Sequence, residues 1–256
     1  MCNRYRATRC SAMSITMNII FRKSQRGFTL IELAVVLVVI GILIGSFIGT
    51  IGSRLDVNRY LETRDRLDEI RLALYGYAMS QAPVRLPCPD TDNDGLENVV
   101  VATGRCIALT TPGNLPWLDL GIPRGDAWAS TFSYWVADEY SNAAGFTLAT
   151  DATDVGRIDD SSGGNVLSNN VAAVIFSHGK NQFGSIGLDN VARTAVPAGA
   201  AYNDERENQD VDAAAPVIFI DRPVTDEEAA IIFDDVLVRI SEYELKGRMV
   251  QAGLLP

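Results

Sequence analysis

The sequence predicts an α+β protein: a long N-terminal α-helix followed by a C-terminal antiparallel β-sheet domain. Three observations carry that prediction. The 21 residues from Leu33 to Ser53 contain no charge, enough for a helix to cross ~30 Å of hydrocarbon. An apolar repeat at Leu67, Ile70, Leu74 and Tyr77 then continues the helix in amphipathic form, with Arg59, Glu62, Arg66, Asp68 and Glu69 on its other faces. From Val84 onward the texture changes to short apolar runs between Gly, Asn, Asp and Pro clusters, the pattern of strands and turns.

Basic residues flank the N-terminal side of the apolar run. Residues 1–27 hold Arg4, Arg6, Arg9, Arg22, Lys23 and Arg26 and no acid, so the rest of the chain carries 16 basic against 32 acidic residues. The positive-inside bias puts Arg22, Lys23 and Arg26 in the cytoplasm and everything after Arg54 outside it. A secretory signal peptide does not fit, because its apolar core is ~7–15 residues long and precedes a small-residue cleavage site. With 47% hydrophobic and 21% charged residues the chain is neither disordered nor collagen-like. The acidic body disfavours binding to a phosphate backbone, so no nucleic-acid partner is expected for it. One histidine, His178, rules out multi-histidine metal sites.

The amphipathic helix ends before Pro83, which cannot continue it. From about Phe28 to Gln81 a single helix would run roughly 80 Å. The strands expected beyond it are 132–137, 145–149, 171–177, 217–221 and 236–240. Thr225-Asp226-Glu227-Glu228 reads as a capping box that opens a short helix through Phe233. A last helix is expected at Glu242–Ala252, stopped by Gly253. The stretch Gly179–Pro216 reads as a long loop.

Gly41, Gly45 and Gly49 share one helix face. They are either a close-packing surface or only the ordinary glycine content of a membrane helix. Cys88 and Cys106, an even pair in an exported domain, read as one disulfide closing a 17-residue loop or else as two buried thiols. Asp90, Asp92 and Asp94, followed by Gly95, place hard oxygen donors at i, i+2 and i+4. This is the first half of a calcium loop or a solvated acidic turn. Val101 stands where an EF-hand has its bidentate Glu, and Glu97 is the candidate substitute. The aromatic stretch with Trp117, Trp128, Tyr134, Trp135 and Tyr140 reads as core, or as an exposed patch for carbohydrate or a partner protein. No nucleophile elbow accompanies His178, so the chain is expected not to be an enzyme.

Glu32 is the residue a plain membrane anchor does not explain, since a carboxylate near the start of a membrane helix is costly without a partner. The string Gly27-Phe28-Thr29-Leu30-Ile31-Glu32, preceded by basic residues and followed by the apolar run, resembles the type IV prepilin processing site shared by type IV pilins and type II secretion pseudopilins. That resemblance implies a lollipop-shaped subunit with a prepilin leader over 1–27, a transmembrane and assembly helix over 28–53, an amphipathic continuation over 54–82 and a periplasmic domain over 83–256. It implies cleavage between Gly27 and Phe28, N-methylation of Phe28, and an assembly role for Glu32 against the Phe28 amine of a neighbour. The implied partners are a prepilin peptidase/N-methyltransferase, other pilin or pseudopilin subunits and the inner-membrane assembly platform. The implied destination is the pilus or pseudopilus. Leaders of this kind are short, and Met17 offers an 11-residue one that would omit Cys2 and Cys10.

Asp126-Ala127-Trp128, the strand around Tyr134, the turn Ser177-His178-Gly179-Lys180 and the run from Glu207 to Asp212 resemble, in order, the C-terminal part of the type II secretion major pseudopilin. This second resemblance implies calcium at Glu207, Asp210 and Asp212. It departs from the pattern in its longer intervening loop and in Ala129, where those relatives have Gly. The soluble domain is also large for a major pseudopilin, which favours a minor pilin-like subunit. The rival expectation is a membrane-anchored periplasmic ligand-binding or enzymatic domain that uses a prepilin-like leader.

Overall fold

The computed structural model describes residues 27–107, 112–151, 153–209, 216–225 and 230–256. Residues 1–26 of the leader, with Met17, Cys2 and Cys10, lie outside them, as do Asp210, Asp212 and residues 226–229. The chain divides into two units, Met1–Thr50 and Ile51–Pro256. Helix α1 is assigned over Leu30–Ser80 and so has a part in each.

In the first unit the α1 side chains from Leu30 to Ile44 are exposed, including Leu30, Ile31, Leu37 and Ile42. Among the described residues no helix is long and apolar enough to cross a membrane. The run from 33 to 53 includes 46–51 and 53, whose side chains lie outside the description.

In the second unit α1 buries Thr63, Leu67, Ile70, Leu74, Tyr75 and Ala78. This is the face that the helical repeat predicts, with Tyr77 at its margin. Each fully buried leucine contributes about 2 kcal/mol. Arg66 donates to the Gly125 carbonyl, the Ala127 N–H donates to Thr63 Oγ1 at 3.3 Å, and Tyr60 packs edge-on to Trp128 with ring centroids 4.7 Å apart.

Beyond α1 come short strands β1 (Val99–Val100), β2 (Arg105–Cys106) and β3 (Gly113–Asn114), and one turn of helix α2 (Trp117–Leu120). They are followed by β4 (Ser133–Val136), α3 (Asp138–Ser141), β5 (Thr153–Asp159) and β6 (Val166–Ser177). A 3₁₀ turn at Ala200–Tyr202 runs into α4 (Asn203–Gln209), and β7 (Val217–Ile220), β8 (Val236–Ser241) and α5 (Glu242–Gln251) complete the chain.

Strand β6 organises the sheet. Its first half pairs with β5, and its second half, Val171–Ser177, lies between β4 and β8. Every residue of that second half is buried, because the run Val171–Phe176 is apolar on both faces, as a covered central strand must be. Tyr134, Trp135 and Tyr140 are also buried, which makes them core. Trp117 is half-buried.

Three expectations are corrected. The sheet is mixed, because β5 and β7 run parallel, Gly156 opposite Val217 through Asp159 opposite Ile220. More than fifty residues separate those two strands, ample for the crossover a parallel pair needs. Residues 145–149 form no strand: Gly145 turns at φ +71°, and the Thr150 hydroxyl accepts the Thr147 N–H at 2.9 Å. The stretch 179–216 is not all loop, since α4 lies in it and buries Asp204, Glu205 and Asn208. Residues 226–229, over which the capping box at Thr225 would open its helix, lie outside the described residues; Thr225 itself pairs with Phe233 in an isolated antiparallel bridge, and its hydroxyl donates to the Ile231 carbonyl at 2.7 Å.

The last helix ends as expected. Gly253 takes φ +73° and donates to the Val250 carbonyl, while Leu254 donates to that of Met249 at 3.0 Å, a Schellman closure. Cys88 and Cys106 are joined in a disulfide, Cα atoms 5.2 Å apart.

Candidate functional site

At the N-terminus, Thr29 is the residue before α1 and Glu32 its third helical residue. The Thr29 N–H and hydroxyl donate to Glu32 Oε2 at 3.2 and 3.3 Å, and the Glu32 N–H donates back to Thr29 Oγ1 at 3.3 Å. This is a reciprocal capping box. It starts the helix two residues beyond Phe28, which is 80% exposed. A Cβ on Gly27 would meet nothing within 4 Å.

In the acidic loop Asp90, Asp92 and Asp94 come together, one carboxylate oxygen of each within 4.8 Å of the others. Asp90 is buried and is the pivot of the turn. Its Oδ1 accepts the N–H groups of Asp92 and Asn93, and its Oδ2 that of Gly95. Asp94 accepts the Leu96 N–H. Asp92 and Asp94 are not buried. Glu97, the candidate substitute ligand, is engaged elsewhere. It receives two bonds from Arg85 at 2.6 and 2.7 Å, the Tyr77 hydroxyl at 2.8 Å and the Cys88 N–H at 3.0 Å. Burial works to raise its pKa, but these donors outweigh it and hold the carboxyl below its ordinary range.

Glu207, from the second predicted calcium set, lies on α4 and accepts from Ser162 Oγ at 3.3 Å. Its predicted companions Asp210 and Asp212 fall outside the described residues. The other parts of that resemblance do meet. Asp126 is buried and accepts the N–H groups of Trp128 and Ser130 and, at 2.6 Å, the Ser177 hydroxyl. Ala129 sits at φ +65°, the conformation in which a glycine carries no strain.

His178 is buried against Phe176, ring centroids 4.9 Å apart. Its Nε2 lies 2.8 Å from Ser133 Oγ, and its Nδ1 lies 3.5 Å from the Gln209 amide nitrogen. An amide stands where a triad would need a carboxylate to orient the ring. Burial pushes the imidazole pKa down to about 4 from its ordinary 6.5. The unfolded chain therefore takes this proton first, so stability is full above about pH 6.5 and falls as pH drops towards 4. The expected result is that the wild type's stability margin over His178→Gln shrinks by about 3 kcal/mol between about pH 7 and pH 4. Paired denaturant titrations at the two pH values check this; a constant margin would contradict it.

Sequence reasoning missed a second acidic cluster, made by Glu205 on α4 with Asp234 and Asp235 ahead of β8. All three residues are buried, and one oxygen of each lies within 4.8 Å of the others. Asn181 Nδ2 and the Asp234 N–H donate to Glu205 Oε1 at 2.7 and 3.2 Å. The Asn181 N–H donates to Asp234 Oδ2, and Asn208 Nδ2 to Asp235 Oδ2. Gly179, at φ +58°, makes room for this arrangement, because a Cβ there would stand 2.1 Å from the Asp234 carbonyl oxygen. Burial raises all three carboxyl pKa values, and the neighbouring carboxylates add to the rise at Asp234 and Asp235. Two negative charges at this spacing repel by ~3 kcal/mol at the effective dielectric of a protein. The pair Asp234-Asp235 was the one sequence signal, and nothing in the spacing linked it to Glu205.

Residues 22–48 match the family described as the prokaryotic N-terminal methylation motif. The chain thus carries a prepilin-type N-terminal motif, which implies processing by a prepilin peptidase and is consistent with a type IV pilin or pseudopilin-type protein. No curated protein and no solved structure matches it.

Proposed function

We propose that this chain is a pilin-like structural subunit of a type IV filament or a type II secretion pseudopilus, a minor subunit by the size of its soluble domain. The methylation motif over residues 22–48 carries the reading. In this proposal the peptidase cuts between Gly27 and Phe28 and methylates Phe28. The chain waits in the inner membrane with its C-terminal domain in the periplasm, and α1 then packs among the helices of other subunits. The exposed apolar side chains between Leu30 and Ile44 support this, since a surface of that kind calls for lipid or a partner helix. The work is assembly, with no chemistry of its own.

The testing substitution is Gly27→Leu, which puts a branched side chain where the peptidase site has to admit the residue before the cut. The processed form is expected to vanish, leaving a heavier chain with an unmethylated N-terminus and none of it in filaments. Mass spectrometry of the purified chain reads this. A mature protein that still begins at Phe28 would refute the cleavage assignment, filaments that contain the uncleaved chain would refute cleavage as a condition of assembly, and absence of the wild-type chain from filaments would refute the subunit reading.

A further inference from the structure

We infer that Glu205, Asp234 and Asp235 form a binding site for a divalent cation of calcium chemistry, separate from the acidic loop around Asp90. The first observation is composition. Three carboxylates are buried together, and among the described residues none of the ion pairs involves them. Buried charge of one sign calls for a counter-charge.

The second observation is independent of the first. Glu205 Oε2 and Asp234 Oδ1 are buried and accept no hydrogen bond, although Glu205 is only 1% exposed and Asp234 only 7%. The opposite oxygens, Glu205 Oε1 and Asp234 Oδ2, are held by Asn181, and Asp235 Oδ2 by Asn208. Each carboxylate is thus anchored through one oxygen by an amide, the arrangement that orients metal ligands. Buried polar atoms are rarely left without a partner, and a cation would partner both.

The donor set selects the ion. All the donors are hard oxygens, and no thiolate or imidazole joins them, which disfavours zinc and copper. His178, the one imidazole in the chain, is turned to Ser133 and Gln209. Calcium holds oxygens at about 2.3–2.6 Å, so its shell is about 5 Å across. Three oxygens within 4.8 Å of one another fit inside that shell. The acidic loop offers no such case, since Asp90 spends both oxygens on backbone N–H groups. A cation here would tie α4 and the turn at Asn181 to the lead-in of β8, the last strand to join β6.

The experiment uses the full chain in detergent, stripped with a chelator and then given calcium chloride alone. Radiocalcium uptake and the unfolding equilibrium are both read. One ion per chain is expected, and at calcium 100-fold above its dissociation constant the unfolding constant falls roughly 100-fold. Asp234→Asn and Glu205→Gln each remove a ligand charge and should weaken uptake by roughly tenfold or more. Both are isosteric and relieve repulsion, so the chelator-treated variants should unfold no earlier than the wild type, which confirms that they fold. The double variant Asp92→Asn, Asp94→Asn should keep full uptake. Absence of uptake by the wild type at millimolar calcium overturns the site. So does uptake that survives in both Asp234→Asn and Glu205→Gln, or that disappears in the loop variant alone.

Discussion

Glu32→Val is expected to be cleaved like the wild type and to enter filaments at roughly a tenth of the wild-type level or less. Two roles of the carboxylate compete for the explanation. Within the chain Glu32 closes the capping box with Thr29, a contribution of about 1 kcal/mol. The helix it starts has 51 residues, so that loss frays a turn and leaves the helix standing. Between subunits, a pair formed with a neighbour's Phe28 amine is worth ~4 kcal/mol at 4 Å and the effective protein dielectric. The second term is the larger, so incorporation should fall while cleavage is spared. Glu32→Gln tells the two roles apart. Glutamine keeps an oxygen for the Thr29 donors and loses the charge, so it should behave as valine does. The readout is the ratio of processed chain in the membrane to chain in sheared filaments. If Glu32→Gln assembles normally while Glu32→Val does not, the residue acts through the cap.

Glu97→Ala is expected to lower the stability of the unit after residue 50 by about 3–5 kcal/mol, the cost of leaving one member of a buried pair alone. At that chain length this is a fall of roughly 10 °C in Tm. The side chains of Arg85 and Glu97 are only 16% and 17% exposed, and the substitution strips the guanidinium of its two bonds to Glu97, leaving only the one it donates to the Leu86 carbonyl at 3.3 Å. It also frees the Tyr77 hydroxyl on α1 and the Cys88 N–H beside the disulfide. Glu97 therefore holds the end of α1 to the cross-linked loop. Replacing both members, Arg85→Met with Glu97→Leu, should recover much of the loss, because no uncompensated charge then remains. Thermal and denaturant unfolding of the three chains measures this. A single-variant loss below about 1 kcal/mol would mean that solvent screens the pair as it does on an open surface.

What the sequence determined by itself was whatever depends on local spacing. The prepilin-type string from Gly27 to Glu32 is contiguous, and so is its chemistry. The repeat Leu67, Ile70, Leu74 marks a buried stripe because a helix returns each of these positions to one face. The doubly apolar run Val171–Phe176 marks a covered central strand for the same kind of reason. The stop at Gly253 follows from the left-handed turn that glycine permits. Tertiary structure decided the rest. Strand β5, with Asp154, Gly156 and Arg157 interrupting its apolar residues, became a strand because β6 and β7 flank it. Glu97, a plausible cation ligand by spacing, was taken by Arg85, 12 residues back along the chain. Glu205 and Asp234 stand 29 positions apart, and only the packing of α4 beside the lead-in to β8 brings their carboxylates together. Periodicity reports which face a side chain occupies, and the identity of its neighbour there is a property of the folded chain.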